Sequence, residues 1–147
     1  MFPRGLIIAV VIGIIAGAIV GVFLVTQKNG EQLEFVLGPS ISIVTEKIDF
    51  EQGEDISIKI INSGTIPLTF SDASYGLKIT GLDGRVLFSP VSAQVISILE
   101  PNEEISFVWD QIKDDGDQAA AGTYKIISNA LDGDKKIKKS ITINIHK

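Results

Sequence analysis

The chain has 147 residues, 13 basic and 18 acidic side chains and a net charge of −5. It contains no cysteine, which excludes a disulfide framework, a thiolate zinc site and a cysteine nucleophile. Arg4 and Lys28 are the only charges up to position 30, so the rest carries 11 basic against 18 acidic side chains, a balance of −7 that argues against a nucleic-acid surface.

Met1 to Gly5 is a short leading segment holding Arg4. Leu6 to Val25 follows, 20 residues without charge, proline or polar side chain. At about 1.5 Å rise per residue such a helix spans roughly 30 Å, the thickness of a bilayer's hydrocarbon core. A helix satisfies its own backbone groups and can therefore sit in lipid. The run accounts for much of the positive mean hydropathy of +0.31. A transmembrane helix is expected over residues 6–26, with residues 1–5 cytoplasmic, because positive charge stays on the cytoplasmic side. That places the remainder outside the cytoplasm. The run ends in Val22-Phe23-Leu24-Val25-Thr26-Gln27 without a small-x-small cleavage site, so a retained anchor is expected rather than a secretory leader.

Two patterns mark this segment. Arg4-Gly5 before a long apolar run resembles the class III signal of archaeal pilins and archaellins, which implies processing after Gly5. Ala9, Gly13, Gly17 and Gly21 recur every four residues and form a flat stripe on which a second helix can pack, so self-association is a candidate property.

Residues 27–40 read as a tether. Within it Leu33 to Leu37 is apolar again, either an edge strand or a helical extension, and Gly38-Pro39-Ser40 marks a boundary. From Ile41 to Lys147 the hydrophobic period is two. Ile41 and Ile43, then Ile48 and Phe50, bracket Thr45-Glu46-Lys47; Ile56, Ile58 and Ile60 form a half-buried strand after the turn at Gln52–Asp55. Asn62–Thr65 closes it and Pro67–Phe70 begins the next. Tyr75–Thr80 and Arg85–Phe88 flank Gly81-Leu82-Asp83-Gly84, whose Asp-Gly pair suits a tight hairpin. Strands are further predicted over Gln94–Ile98, Ile105–Trp109, Thr123–Leu131 and Lys135–Ile145, separated by turns at Glu100–Glu103 and Asp132–Asp134 and by a long loop through Asp114–Gly122. Seven or eight short strands and no amphipathic helix predict an immunoglobulin-like antiparallel β-sandwich, without the Cys…Trp…Cys triplet of antibody domains.

From Asn62 to about Leu131 the order of these signals resembles the BsuPI-type intracellular proteinase inhibitor domain. Asn62 and Gly64 match its N-x-s turn, Leu68 and Phe70 its apolar strand, and Tyr75 through Gly84-Arg85-Val86 its hairpin. Leu99-Glu100-Pro101-Asn102-Glu103 matches the L-x-P-G-E turn, and Phe107-x-Trp109-Asp110, Asp115-Gly116 and Gly122-Thr123-Tyr124 match the ending. Gly76 departs from the family Asp, Leu87 and Phe88 stand where a Trp is common, and Asn102 replaces the turn Gly. The resemblance implies an immunoglobulin-like sandwich. It also implies protease inhibition, for which no reactive loop is matched here.

Few residues offer chemistry. His146, the only histidine, reads as a solvated tail residue. Asp110, Asp114, Asp115 and Asp117 suggest a calcium loop, but Lys113 interrupts the alternation and no distant Glu follows. Trp109, Tyr75 and Tyr124 read as core aromatics. Lys135, Lys136, Lys138 and Lys139 read as protection of an edge strand. No catalytic residue, metal site or cofactor is expected, and the chain is not read as an enzyme. The expected function is a membrane-anchored, extracytoplasmic sandwich that binds or scaffolds a surface protein of unknown identity. The alternatives are a pilin-like or archaellum-stator-like subunit of a surface filament or machine, and a protease inhibitor.

Overall fold

Isoleucine at every second position builds the smaller of two sheets. A computed structural model describes residues 35–147, together with Ile14, Ile15 and Ala18, which are helical. Strands β1 (Ile41–Thr45), β3 (Ile56–Asn62) and β8 (Glu104–Trp109) lie antiparallel in the order β1-β3-β8. Ile43 stands opposite Ile60, and Ile58 opposite Phe107. β-Branched side chains suit this pleated, half-buried surface. Ile41, Ile43, Ile56, Ile58, Ile60 and Trp109 are all buried.

The larger sheet is organised on two long strands, β9 (Gly122–Asp132) and β10 (Lys135–His146), which pair antiparallel along their whole length. β2 (Asp49–Glu51) adds to the far end of β10 in parallel, Phe50 opposite Ile145. The other edge of β9 is shared. β5 (Lys78–Gly81) pairs with Tyr124 to Ile127, and β4 (Leu68–Phe70) meets Leu131. β6 (Val86–Phe88) then pairs with β5, and β7 (Ser97–Leu99) with β4. The inward side chains of both sheets, among them Ile43, Ile58, Phe70, Ile126 and Ile143, belong to one hydrophobic core. Each fully buried isoleucine contributes about 1.5–3 kcal/mol relative to exposure, so this shared core replaces the missing disulfide as the main stabiliser.

Three aromatic contacts pack this core. Trp109 meets Tyr124 edge-on at 6.0 Å and stacks on Phe88 at 6.0 Å, while its indole N–H donates to the Ile112 carbonyl at 2.9 Å. Phe70 packs on Tyr75 with ring centres 5.0 Å apart. Trp109 and Tyr124 are buried and Tyr75 half-buried, as core aromatics should be.

Several elements differ from the sequence reading. Among the described residues ten strands form rather than seven or eight, because the three-residue pieces β2, β4, β6 and β7 dock on long neighbours and need no periodic stretch of their own. Ile48 is exposed, since Phe50 alone of that pair faces inward from β2. Tyr75 to Leu77 is not strand. Tyr75 (φ +52°) and Gly76 (φ +65°) form a left-handed turn, and the Ser128 hydroxyl donates to the Tyr75 carbonyl at 2.7 Å. The predicted strand over Gln94–Ile98 begins only at Ser97. Phe35 to Leu37 is neither strand nor helix, although the Val36 amide donates to the Ser63 carbonyl at 2.9 Å. The Asp83-Gly84 hairpin forms as expected: the Asp83 carboxylate accepts from the Arg85 amide at 3.0 Å and Gly84 adopts φ +82°.

Among the described residues no helix is long and apolar enough to cross a membrane. The run Leu6–Val25, with the stripe Ala9, Gly13, Gly17 and Gly21 and the pair Arg4-Gly5, lies outside them apart from Ile14, Ile15 and Ala18.

Gly76 tests this fold most sharply. A Cβ there would stand 2.3 Å from the Asn129 carbonyl oxygen, on top of the positive φ. Gly76→Ala should cost about 3 kcal/mol or more, read as a lowered urea midpoint at unchanged slope.

Candidate functional site

In the acidic loop after β8 the carboxylates shape backbone. Asp110 accepts from the Ile112 amide at 3.0 Å and Asp115 from the Asp117 amide at 2.9 Å. Lys113 reaches the second Asp115 oxygen at 3.3 Å, and Asp114 accepts from the Ser89 amide at 3.3 Å. The Asp117 amide, then Lys113, hold the Asp115 carboxyl below its ordinary range. Among the described residues no three His, Asp or Glu side chains converge on a point that could hold a metal ion.

Gln111, at the base of this loop, was not singled out by sequence. It is fully buried with φ +62°. Its amide nitrogen donates to the carbonyls of Glu51 (2.8 Å) and Glu54 (2.9 Å), and its amide oxygen accepts from the Gly53 amide at 2.9 Å. One side chain thus ties the β2–β3 turn to the loop. A polar residue following an Asp gives no pattern from which such a role could be read. Gln111→Ala should remove three hydrogen bonds to the β2–β3 turn and cost about 1–3 kcal/mol in chemical denaturation.

At the end of β10 the structure assembles a second polar cluster. His146 is exposed, as expected, but it belongs to β10, and its Nε2 lies 3.1 Å from Asp49 Oδ1. Asn144 donates to the same oxygen at 2.9 Å, and Thr123 donates to Asn144 at 3.1 Å. Thr123, Asn144 and His146 border an open depression with Ala121, Gly122, Ile145 and Lys147. The strand pairing brings them together, since Asn144 stands opposite both Thr123 and Asp49. The only sequence signal is alternation running on to the last residues. The hydrogen bond from Asn144, then that from His146, lowers the Asp49 pKa from its ordinary 3.8. A carboxyl lowered by folding stabilises the fold above its unfolded pKa and loses that contribution as pH falls through the folded value. The Tm deficit of Asp49→Ala, present at neutral pH, should therefore shrink as pH falls below 3.8.

The third feature is apolar. β8 pairs with β3 on one edge, and among the described residues no backbone hydrogen bond reaches Ile105 to Val108 on the other. Val108 is exposed there. The connection from β6 to β7 also displays Val91, Val95 and Ile96, followed by Ile98 in β7. Its course is set by the Ala73 amide, which donates to the Ala93 carbonyl at 3.1 Å, and by Asp72, which accepts from the hydroxyls of Ser74 and Ser92. Those bonds, the Ser74 hydroxyl first, hold the Asp72 carboxyl below its ordinary value.

No family model matches the chain, and no curated protein matches it. Among solved structures, the sporulation control protein Spo0M from Bacillus subtilis aligns with a TM-score of 0.46 and 13% identity, over 74% of this chain and 49% of that one. A beta-glucosidase from Listeria innocua, solved with glucose, aligns with a TM-score of 0.37 and 9% identity, over 74% of this chain and 16% of that one. This chain thus spans about half of the first and about a sixth of the second. Overlap at this level bears on neither substrate nor partner.

Proposed function

We propose that the chain is a single-pass membrane protein whose domain is an immunoglobulin-like sandwich of BsuPI type, held outside the cytoplasm, and that it docks a surface protein without catalysing a reaction. The observation that carries the reading is the uncharged run Leu6–Val25 directly ahead of a domain with its own core. The immunoglobulin-like assignment draws on Tyr124, near the start of β9, whose hydroxyl donates to the Ala120 carbonyl four residues upstream. That is the geometry of a tyrosine corner, and the buried Trp109 lies against the same ring. Asn62 supports the BsuPI resemblance. Its side chain donates to the Ile66 and Leu99 carbonyls and accepts from the Gly64 amide, which gives the N-x-s turn a physical role.

Docking is assigned to the outer edge of β8. Its sequence, Glu-Ile-Ser-Phe-Val-Trp, contains neither lysine nor proline, the residues that usually blunt an edge. Its one charge, Glu104, is engaged by Lys59 at 3.3 Å. An added strand would gain main-chain hydrogen bonds there, with Val108 offering an apolar contact. Cross-linking and recovery from native membranes tests this. Val108→Lys should cut partner recovery at least fivefold while leaving Tm within about 2 °C. Equal recovery would refute the assignment to β8.

The stripe Ala9, Gly13, Gly17 and Gly21 and the pair Arg4-Gly5 favour a second reading, a filament or surface-machine subunit whose helix enters a bundle. That reading requires cleavage after Gly5 and large assemblies. The first requires an intact amino terminus. The intact mass of protein purified from its native membrane separates them.

A further inference from the structure

Phe35, Val36 and Leu37 are three consecutive large apolar side chains that the domain leaves exposed, Leu37 by 93%. Single exposed apolar residues are ordinary, but a run of this kind is normally covered by something. The run is nevertheless pinned to the domain. The Val36 amide donates to the Ser63 carbonyl at 2.9 Å, and the Gly38 carbonyl accepts from the Thr65 amide at 3.0 Å. Gly64 packs so closely on Gly38 that a Cβ on Gly64 would collide with the Gly38 carbonyl. Among the described residues no backbone hydrogen bond reaches Phe35 or Leu37. In an extended chain neighbouring residues turn their amides and carbonyls to opposite sides, so Val36 uses one edge of the segment and Phe35 and Leu37 present the other.

The outer edge of β8 is complementary to that segment. Ile58 and Ile60 of β3, in the middle of the smaller sheet, are fully buried, whereas Ile105 and Phe107 of β8 are only half-buried. Their exposed parts therefore line the free edge. Tyr75 stands edge-on to Phe107 at 6.4 Å and is half-buried as well, which widens the apolar strip. On the outward face the edge carries Ser106 and Val108, both exposed. The one charge of β8, Glu104, already meets Lys59, so the edge asks its partner for none. Period-two alternation puts Phe35 and Leu37 on one face of an added strand and Val36 on the other. Within one chain the two surfaces cannot meet. Ser40 and Ile41 run into β1 opposite Ser63 and Asn62, on the edge of β3 away from β8. A strand added outside β8 stands three strand spacings from β1, about 14 Å.

We propose that residues 35–37 of one copy of this chain add to the outer edge of β8 in a second copy, with Phe35 and Leu37 over Ile105 and Phe107 and Val36 beside Ser106 and Val108. This rests on the assignment of docking to β8 above and names the partner as the chain itself. Main-chain hydrogen bonds hold the segment, and the alternate side chains set its register. The donor needs no refolding, because its pinned edge faces its own Ser63 and its open edge faces the neighbour.

The test uses the full chain, which has no native cysteine, in two differently tagged single-cysteine forms co-expressed in the same cells. One form carries Val36→Cys and the other Ser106→Cys, and a short bis-maleimide joins cysteines on adjacent strands. The mixed adduct, position 36 of one form to position 106 of the other, should dominate. Adding Phe35→Ser and Leu37→Ser to the first form should lower the mixed yield about fivefold and leave Tm within about 2 °C, because both side chains are exposed. Adducts between two copies of the same form in place of the mixed one overturn the proposal. So does a mixed adduct that the serine pair leaves unchanged, and so does the absence of any adduct. The Val108→Lys experiment keeps the two readings apart. If that variant loses its partner while no mixed adduct forms, β8 docks a different protein and only this proposal falls. If it keeps its partner, the β8 assignment falls and this proposal with it.

Discussion

β9 is hydrogen-bonded on both edges, and the rest of the domain follows from that. One edge carries β10 over its full length and the other is divided between β5 and β4. A strand paired twice has no freedom to slip, because a shift by one residue would turn Tyr124, Ile126 and Ala130 out of the core. Its fixed register in turn places β10, and the end of β10 gives β2 a template. The smaller sheet has no comparable hub. It is held by its isoleucines against the same core and by Trp109, which joins β8 to Tyr124 of β9. With no disulfide available, these apolar contacts and a few fully satisfied polar side chains do all the fastening.

The polar fasteners share a logic. Gln111 and Asn62 are both buried, and each bonds to backbone groups from segments distant in sequence. In each case one side chain satisfies main-chain donors or acceptors at a bend where no ladder can reach them. Leaving such groups unpaired costs more than the bond itself contributes, so these sites hold the loops in a single arrangement. The two sheets also differ in how their edges are defended. β10 bears four lysines where its outer edge runs beyond β2, whereas β8 bears none. That asymmetry is the physical basis of the proposal that a partner docks on β8.

What could be read from sequence was what depends on local pattern. The alternation of Ile56, Ile58 and Ile60, the Asp83-Gly84 hairpin and the Pro101-Asn102 turn each encode their geometry in neighbouring residues. Asn102 even adopts the left-handed φ of +68° that a glycine would otherwise supply. Missed features depend on distant partners. β2 is three residues whose only reason to be extended is the end of β10, nearly a hundred positions away. Tyr75 and Gly76 look like strand by composition, but the close approach of Asn129 forces a turn. His146 is exposed, as its sequence position suggests, but nothing near it in sequence announces its contact with Asp49. The acidic loop was legible only in part: the carboxylates of Asp110 and Asp115 accept from amides two residues on, but nothing local announces that Asp114 accepts from the Ser89 amide.

The central claim is that a helix holds this domain outside the cytoplasm. Because the chain has no native cysteine, single cysteines can report the side of the membrane directly. Cells expressing the Phe2→Cys or Asp117→Cys chain would be treated with a membrane-impermeant maleimide before and after lysis. The account predicts that Asp117→Cys is labelled in intact cells and Phe2→Cys only once the membrane is broken. Labelling of both only after lysis, or the reverse pattern, would contradict it.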